Sequence, residues 1–266
     1  MKNYTKVLTI AGSDSGGGAG IQADLKTFQA CGCYGMSVIT AVTAQNTLGV
    51  TCIHEVPIPV ISTQIAAVLE DIGVDGVKIG MLHSVEVIDC VVKYIKKFNP
   101  AKIVLDPVMV ATSGDLLIQD DAVSAMKSII FDKVSLLTPN LSEAEVILGS
   151  RITSLAELEE AARELACCYQ TAVLVKGGHL DEPEVTDVYC HQGKITRFTN
   201  PRIETANTHG TGCTLSSAIT AHLALGLEME DAIGRGREFL QGAMKSGAEK
   251  KLGNGNGPVD HSYNLP

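Results

Sequence analysis

The sequence predicts an α/β fold, a central mostly parallel β-sheet flanked by helices on both faces, with a small β-hairpin added. Three observations carry this. Short, nearly wholly apolar runs recur along the chain, as strands buried on both faces require. Longer amphipathic segments separate them, and strand–helix alternation of this kind gives a parallel sheet with helical crossovers. Glycine clusters follow the apolar runs, where an open α/β sheet binds ligands at the carboxyl ends of its strands.

Residues 7–11, 76–80, 102–106, 134–138 and 172–176 are the apolar runs and are expected to be strands. The clearest helix spans 154–168, where Leu158, Ala161, Ala162 and Leu165 have the spacing of one buried stripe. Ser154 and Glu157 are spaced as a capping box at its start, and Glu159 and Arg163 as an i,i+4 ion pair. Residues 185–191 and 194–199, joined by Gln192-Gly193, read as a β-hairpin. The glycine-rich stretch 253–258 is either a closing loop or a frayed end. No internal repeat or proline-rich linker divides the chain, so residues 1–266 are expected to form a single domain.

Composition narrows the function. With 45% hydrophobic and 19% charged residues, the chain is that of a folded globular protein. It has no Trp, so its core must be largely aliphatic. A formal charge of −9 argues against nucleic acid or an anionic membrane as partner, since both need a basic surface. Nucleotides remain open, because a few local donors suffice to hold them. The eight cysteines show no Cys-x-x-Cys or zinc spacing, and Cys31 with Cys33 and Cys167 with Cys168 lie too close for a disulfide framework. They read as small hydrophobes in a reduced protein. The first six residues lead straight into an apolar run, and no apolar stretch is long enough to cross a bilayer, so a cytoplasmic location is expected.

The glycine clusters carry the chemistry. Gly12 to Asp24 reads GSDSGGGAGIQAD, after the first run and into a helix. The spacing is wrong for a dinucleotide fingerprint, and no Gly-Lys-Ser/Thr makes it a Walker loop. It is either a tight turn needing positive φ or a backbone that approaches a small ligand closely, with Asp24 facing that ligand. The second cluster runs from Thr205 to Ser216 and opens a helix with Gly210-Thr211-Gly212-Cys213 at its start, where free N–H groups and the helix dipole favour an anion such as a phosphoryl group in transfer. Cys213 there is either an ordinary buried thiol or, as the Gly-x-Gly before it favours, a thiol with a lowered pKa that acts as a base or as a hydrogen-bond partner. In the third cluster Lys176 can neutralise phosphate, while His179 is expected to be an ordinary loop histidine. Asn140 and Glu143 read equally as water-mediated magnesium ligands or as a capping box. Asp106 ends a run and is either functional or a turn starter.

These motifs together resemble the hydroxymethylpyrimidine/phosphomethylpyrimidine kinases of thiamine biosynthesis, in the ribokinase-like superfamily. The likeness is carried by Ala11-Gly12-Ser13-Asp14, Gly18 to Thr27, Thr43-Ala44-Gln45-Asn46-Thr47, Lys78-Ile79-Gly80-Met81-Leu82, Leu105-Asp106-Pro107-Val108-Met109, Thr138-Pro139-Asn140, Lys176-Gly177-Gly178-His179, Asn207 to Ser216 and Gly257-Pro258-Val259 with His261. It covers essentially the whole chain.

The resemblance implies an ATP-dependent transfer of phosphoryl groups to 4-amino-5-hydroxymethyl-2-methylpyrimidine and then to its monophosphate. It implies that Gln45, Asp24 and the Gly12 backbone bind the pyrimidine, that Met81 and Val108 line its pocket, and that Lys176, Thr208 and Gly210 contact ATP. Gly210, Gly212 and Cys213 would be catalytic, Glu143 with Asn140 would hold Mg²⁺ through water, and the protein would be a homodimer. An amide such as Gln45 suits an aminopyrimidine edge independently, offering a donor and an acceptor together. Pyridoxal kinases related to this group can share the cysteine, so a pyridoxal or pyridoxine kinase is the alternative, and a non-catalytic vitamin-binding module is a further one. Thr112 stands where the family often has Lys, which bears on the second phosphorylation, and Ser15-Gly16-Gly17 replaces a more frequent Pro-Ser-Gly.

Overall fold

A computed structural model describes residues 3–109 and 118–265, and Thr112 lies outside the described residues. The strands are β1 (Lys6–Asp14), β2 (Tyr34–Asn46), β3 (Gly49–Glu55), β4 (Gly76–Ile79), β5 (Ile103–Leu105), β6 (Leu136–Leu137), β7 (Ala172–Val175), β8 (Glu184–His191) and β9 (Lys194–Pro201). They form one sheet in the order β3-β2-β1-β4-β5-β6-β7-β8-β9. Pairing is parallel from β2 through β7, and β3, β8 and β9 add antiparallel flanks.

Alternate residues of the central strands enter two separate cores, which is why their sequences are apolar without a break. Val104, Leu136 and Leu174 pack with Leu215, Ile219 and Ile233 of α7 (Thr211–Ala224) and α8 (Met229–Gly247). Ile103, Leu105, Leu137 and Val173 point the other way. There they meet α3 (Val85–Phe98), α4 (Asp120–Ile129), α5 (Leu141–Leu148) and α6 (Leu155–Tyr169). The remaining helices, α1 (Gly20–Ala30) and α2 (Ile58–Ala67), pack on the α7 face and against α3 respectively. Every predicted strand forms, although β6 shrinks to two residues and β1 continues past Gly12 with a register break between Ala11 and Ser13.

The strands β2 and β3 have no predicted counterpart. Their residues alternate between buried and exposed or are exposed outright, and Thr, Gln and His break any apolar run. The hairpin forms with Gln192 and Gly193 both at positive φ, as a two-residue primed turn requires. Two local expectations fail. Ser154 caps α6, but the Glu157 carboxylate turns to the Thr153 N–H (2.6 Å) and hydroxyl (2.8 Å) instead of closing a capping box. Arg163 meets Glu160, one residue off the expected i,i+4 pair, because Glu159 is taken by Arg197 of β9.

Residues 253–258 form a closing loop. The N–H groups of Asn254 and Gly255 each donate to the Thr47 hydroxyl at 3.2 Å, and that of Asn256 to the Thr47 carbonyl at 3.0 Å. Pro258 then bridges to His209. The loop therefore ties the β2–β3 tip to the loop that precedes α7.

Candidate active site

The carboxyl ends of β1, β4, β5 and β7 open into one cavity of about 790 Å³. Gly12, Gln45, Met81, Val108, Asn140, Glu143, Lys176, Thr208, Gly210, Gly212 and Cys213 all line it, so the structure brings together every predicted site residue except Asp24.

The start of α7 is at the centre. Gly210 caps it in the left-handed region (φ 78°), and a Cβ there would collide with the Gly18 carbonyl. This close approach packs the α7 start against the β1–α1 loop. Among the described residues the Gly212 and Cys213 N–H groups take no backbone acceptor, leaving two aligned donors at the positive end of a helix dipole. Such donors suit the equatorial oxygens of a phosphoryl group in transfer.

The expected lowering of the Cys213 pKa is overturned. Burial pushes the thiol up to about 11, and the opposing pull of Lys78 does not make up the difference. A helix start favours a thiolate, but here the desolvation by the side chains packed around the sulfur is the larger effect.

Asp24 is also revised. Its side chain is fully buried below the cavity, where it accepts from the Thr9 hydroxyl (2.6 Å), the Ser217 hydroxyl (2.7 Å) and Lys78 Nζ (2.9 and 3.0 Å). With these partners it has no free face for a ligand. A second pair lies alongside: Lys176 Nζ donates to Asp106 at 2.6 Å, and Asp106 accepts further from Thr138 and Ser216 at 3.3 Å each. Burial works against the charge on both lysines, but Asp24 holds Lys78, and Asp106 and Glu143 hold Lys176, protonated well above the usual range.

At the other end Gln45 is oriented before any ligand arrives. Its carbonyl accepts from the Thr43 hydroxyl at 3.0 Å, and its amide nitrogen stands 3.5 Å from His209 Nε2. His209 is fixed by Asp14 at 2.9 Å, and Asp14 also accepts from the N–H groups of Gly16, Gly18 and Ala19. Burial raises the Asp14 pKa, but His209 and those N–H groups outweigh it and hold the carboxyl below its usual range. Met81 and Val108 add apolar walls, and a Cβ on Gly12 would stand 3.0 Å from the Met81 sulfur.

Asn140 and Glu143 form a complete capping box on α5, with Glu143 Oε2 accepting from the Asn140 N–H at 2.7 Å. Burial, together with nearby Asp106, pushes Glu143 up to about 7 against the pull of Lys176. Two carboxyl groups that repel each other at the cavity edge are a donor set that fits a magnesium ion held through water, since a cation relieves the repulsion.

Lys78, Asp14 and His209 were not singled out from sequence. Lys78 carried the one usable sign, a lysine within an otherwise apolar strand, where a charge survives only with a partner.

A cleft at the strand ends of this sheet order, offering an anion a bare helix start and a lysine, defines a ribokinase-like kinase of small molecules. The family model for phosphomethylpyrimidine kinase matches residues 14–260, and the chain belongs to that family. The hydroxymethylpyrimidine/phosphomethylpyrimidine kinase of Rhizobium meliloti (strain 1021) is 47% identical over 259 residues, 96% of either chain. Among solved structures, phosphomethylpyrimidine kinase from Clostridium difficile 630 superposes with a TM-score of 0.80 at 43% identity, over 90% of this chain and 99% of that one. Bacillus subtilis pyridoxal kinase, in an ADP complex, gives 0.91 at 35% identity over 98% of each.

Proposed function

We propose that this protein transfers the γ-phosphoryl group of ATP to the hydroxymethyl oxygen of 4-amino-5-hydroxymethyl-2-methylpyrimidine, and then a second one to the resulting monophosphate, for thiamine biosynthesis. The observation that carries the reading is the pair of Gly212 and Cys213 N–H groups, without a backbone acceptor among the described residues, in one cavity that Gln45 and Lys176 also line. Family membership supplies the substrate class.

The roles follow from position. Gln45 reads the aminopyrimidine edge, with Met81 and Val108 against the ring. Lys176 and Thr208 face the ATP phosphates, and the apolar side chains of Ile203, Leu240 and Met244, which also line the cavity, suit a planar base. As the hydroxymethyl oxygen bonds to phosphorus, the bond to the ADP oxygen breaks and the substrate proton passes to the Cys213 thiolate. Charge on the transferred group falls on the Gly212 and Cys213 N–H groups. Glu143 and Asn140 would hold, through water, a magnesium ion that neutralises phosphate charge.

With the thiol near 11, the reactive thiolate is the minor form at neutral pH, so kcat should rise with pH between 7 and 9. Cys213→Ala should lower kcat by ~10²-fold or more and abolish that rise, with pyrimidine binding largely intact. A flat wild-type profile would instead make Cys213 a hydrogen-bond partner. The assay that tests the function is ADP release with MgATP and, separately, the hydroxymethylpyrimidine, its monophosphate and pyridoxal. Turnover of both pyrimidines with pyridoxal slow is expected; faster pyridoxal turnover would assign the chain to the chemistry of its Bacillus subtilis structural relative.

A further inference from the structure

Among the described residues Lys78 is the least exposed lysine that borders the cavity, and the reaction as described gives it no task. Its side chain is 0% exposed, like that of its partner Asp24. No residue fills the space above it by accident: Gly80 stands over Nζ, where a Cβ would come within 2.9 Å. Asp24 is locked from two other elements, by Thr9 of β1 and by Ser217 of α7. Ser217 lies one turn beyond Cys213 on the same helix face, so the hydrogen bond to Asp24 anchors the ion pair against the turn of α7 that carries the thiol. The charged groups that act on Cys213 are Lys78, Asp24, Asp106 and Lys176. Lys176 Nζ stands beside Gly212, where a Cβ would come within 3.2 Å of it, so Lys78 is the cation assigned to the sulfur.

We infer that Lys78, held by Asp24, is a positioning residue for phosphoryl transfer: its buried ammonium supplies fixed positive charge near the Cys213 sulfur and keeps the thiolate within reach as proton acceptor. The inference rests on Cys213 taking the substrate proton. In that step the hydroxymethyl oxygen gives its lone pair to phosphorus and its proton to the Cys213 thiolate, while the pair of the breaking bond leaves with ADP. Lys78 neither gives nor takes a proton. Its influence on the sulfur outweighs that of Asp24, which acts in the opposite direction.

The test is the pH dependence of Cys213 alkylation by iodoacetamide, read on the isolated peptide by mass spectrometry, in wild type, Lys78→Met and the double variant Lys78→Met/Asp24→Asn. Cys213 is partly exposed and lines the cavity, so the reagent reaches it. The double variant leaves no orphaned carboxylate and serves if the single one fails to fold. The expected result is an alkaline shift of the alkylation midpoint by one pH unit or more. With it, kcat at pH 7.5 should fall tenfold or more while KM for the pyrimidine stays within threefold. Lys78→Arg, which keeps the charge, should recover most of the shift. An unmoved midpoint in a variant with wild-type circular dichroism would overturn the inference. If Cys213→Ala keeps full kcat, the proton-acceptor role fails whatever the alkylation midpoint does, so the two readings fall separately.

Discussion

Two lysine–aspartate pairs flank the start of α7, and they differ in what surrounds them. Lys78 and Asp24 are wholly enclosed, and Asp24 has every acceptor position occupied. Lys176 keeps 13% of its side chain exposed to the cavity, and among the described residues its partner Asp106 is held otherwise by two long hydrogen bonds. A sealed pair cannot trade partners, because each bare charge would face a large desolvation cost. An open pair can exchange a carboxylate for a phosphate of the same charge sign. The first is therefore fixed electrostatics, and the second has the exposure and the loosely held partner that the proposed phosphate contact requires.

The contrast is broken most directly through stability. Asp24→Ala strands a buried ammonium and should destabilise the fold by about 3–5 kcal/mol in urea denaturation. Asp106→Ala should cost clearly less, because water reaches Lys176. Equal losses would mean that both pairs are structural. Lys176→Ala sharpens the other half: KM for ATP should rise ~10- to 100-fold, the worth of a charge-assisted hydrogen bond or two. Its melting temperature should change little. Gln45→Ala, remote from both pairs, should raise KM for the pyrimidine about tenfold and leave ATP binding alone; a shift in KM for ATP would couple the two ends of the cavity.

The smallest effect is a pH effect. Glu143 has a folded pKa raised to about 7, so it is ionised above that value and neutral below it. If it holds magnesium through water, the magnesium concentration needed for half-maximal rate should grow several-fold from pH 7.5 to 6. Glu143→Gln should flatten that dependence; a flat wild-type response would leave Glu143 with the cap alone.

How much of this could be read in the sequence follows from burial. The central strands were legible because both their faces are covered, which leaves an unbroken apolar record. The β2–β3 ribbon was not, since its outer residues are exposed and its pattern is mixed. Glycine and cysteine at the α7 start were legible from local helix chemistry. What local chemistry could not give was tertiary: that Asp24 faces Lys78 and not a ligand, and that removal of water outweighs the helix dipole at Cys213. Among the described residues no helix is long and apolar enough to cross a membrane.

The closing loop has a consequence for biosynthesis. Gly255 donates to Thr47 across 208 positions of sequence, and the Gly257 carbonyl accepts from the His209 N–H. His261 adds a hydrogen bond to Thr214 in the first turn of α7. Residues 253–261 do not line the cavity themselves, but a nascent chain lacks these braces on the start of α7 until position 261 has emerged. Truncation before position 253 should therefore loosen the start of α7, speeding its amide exchange while β1, β2 and β4 stay protected.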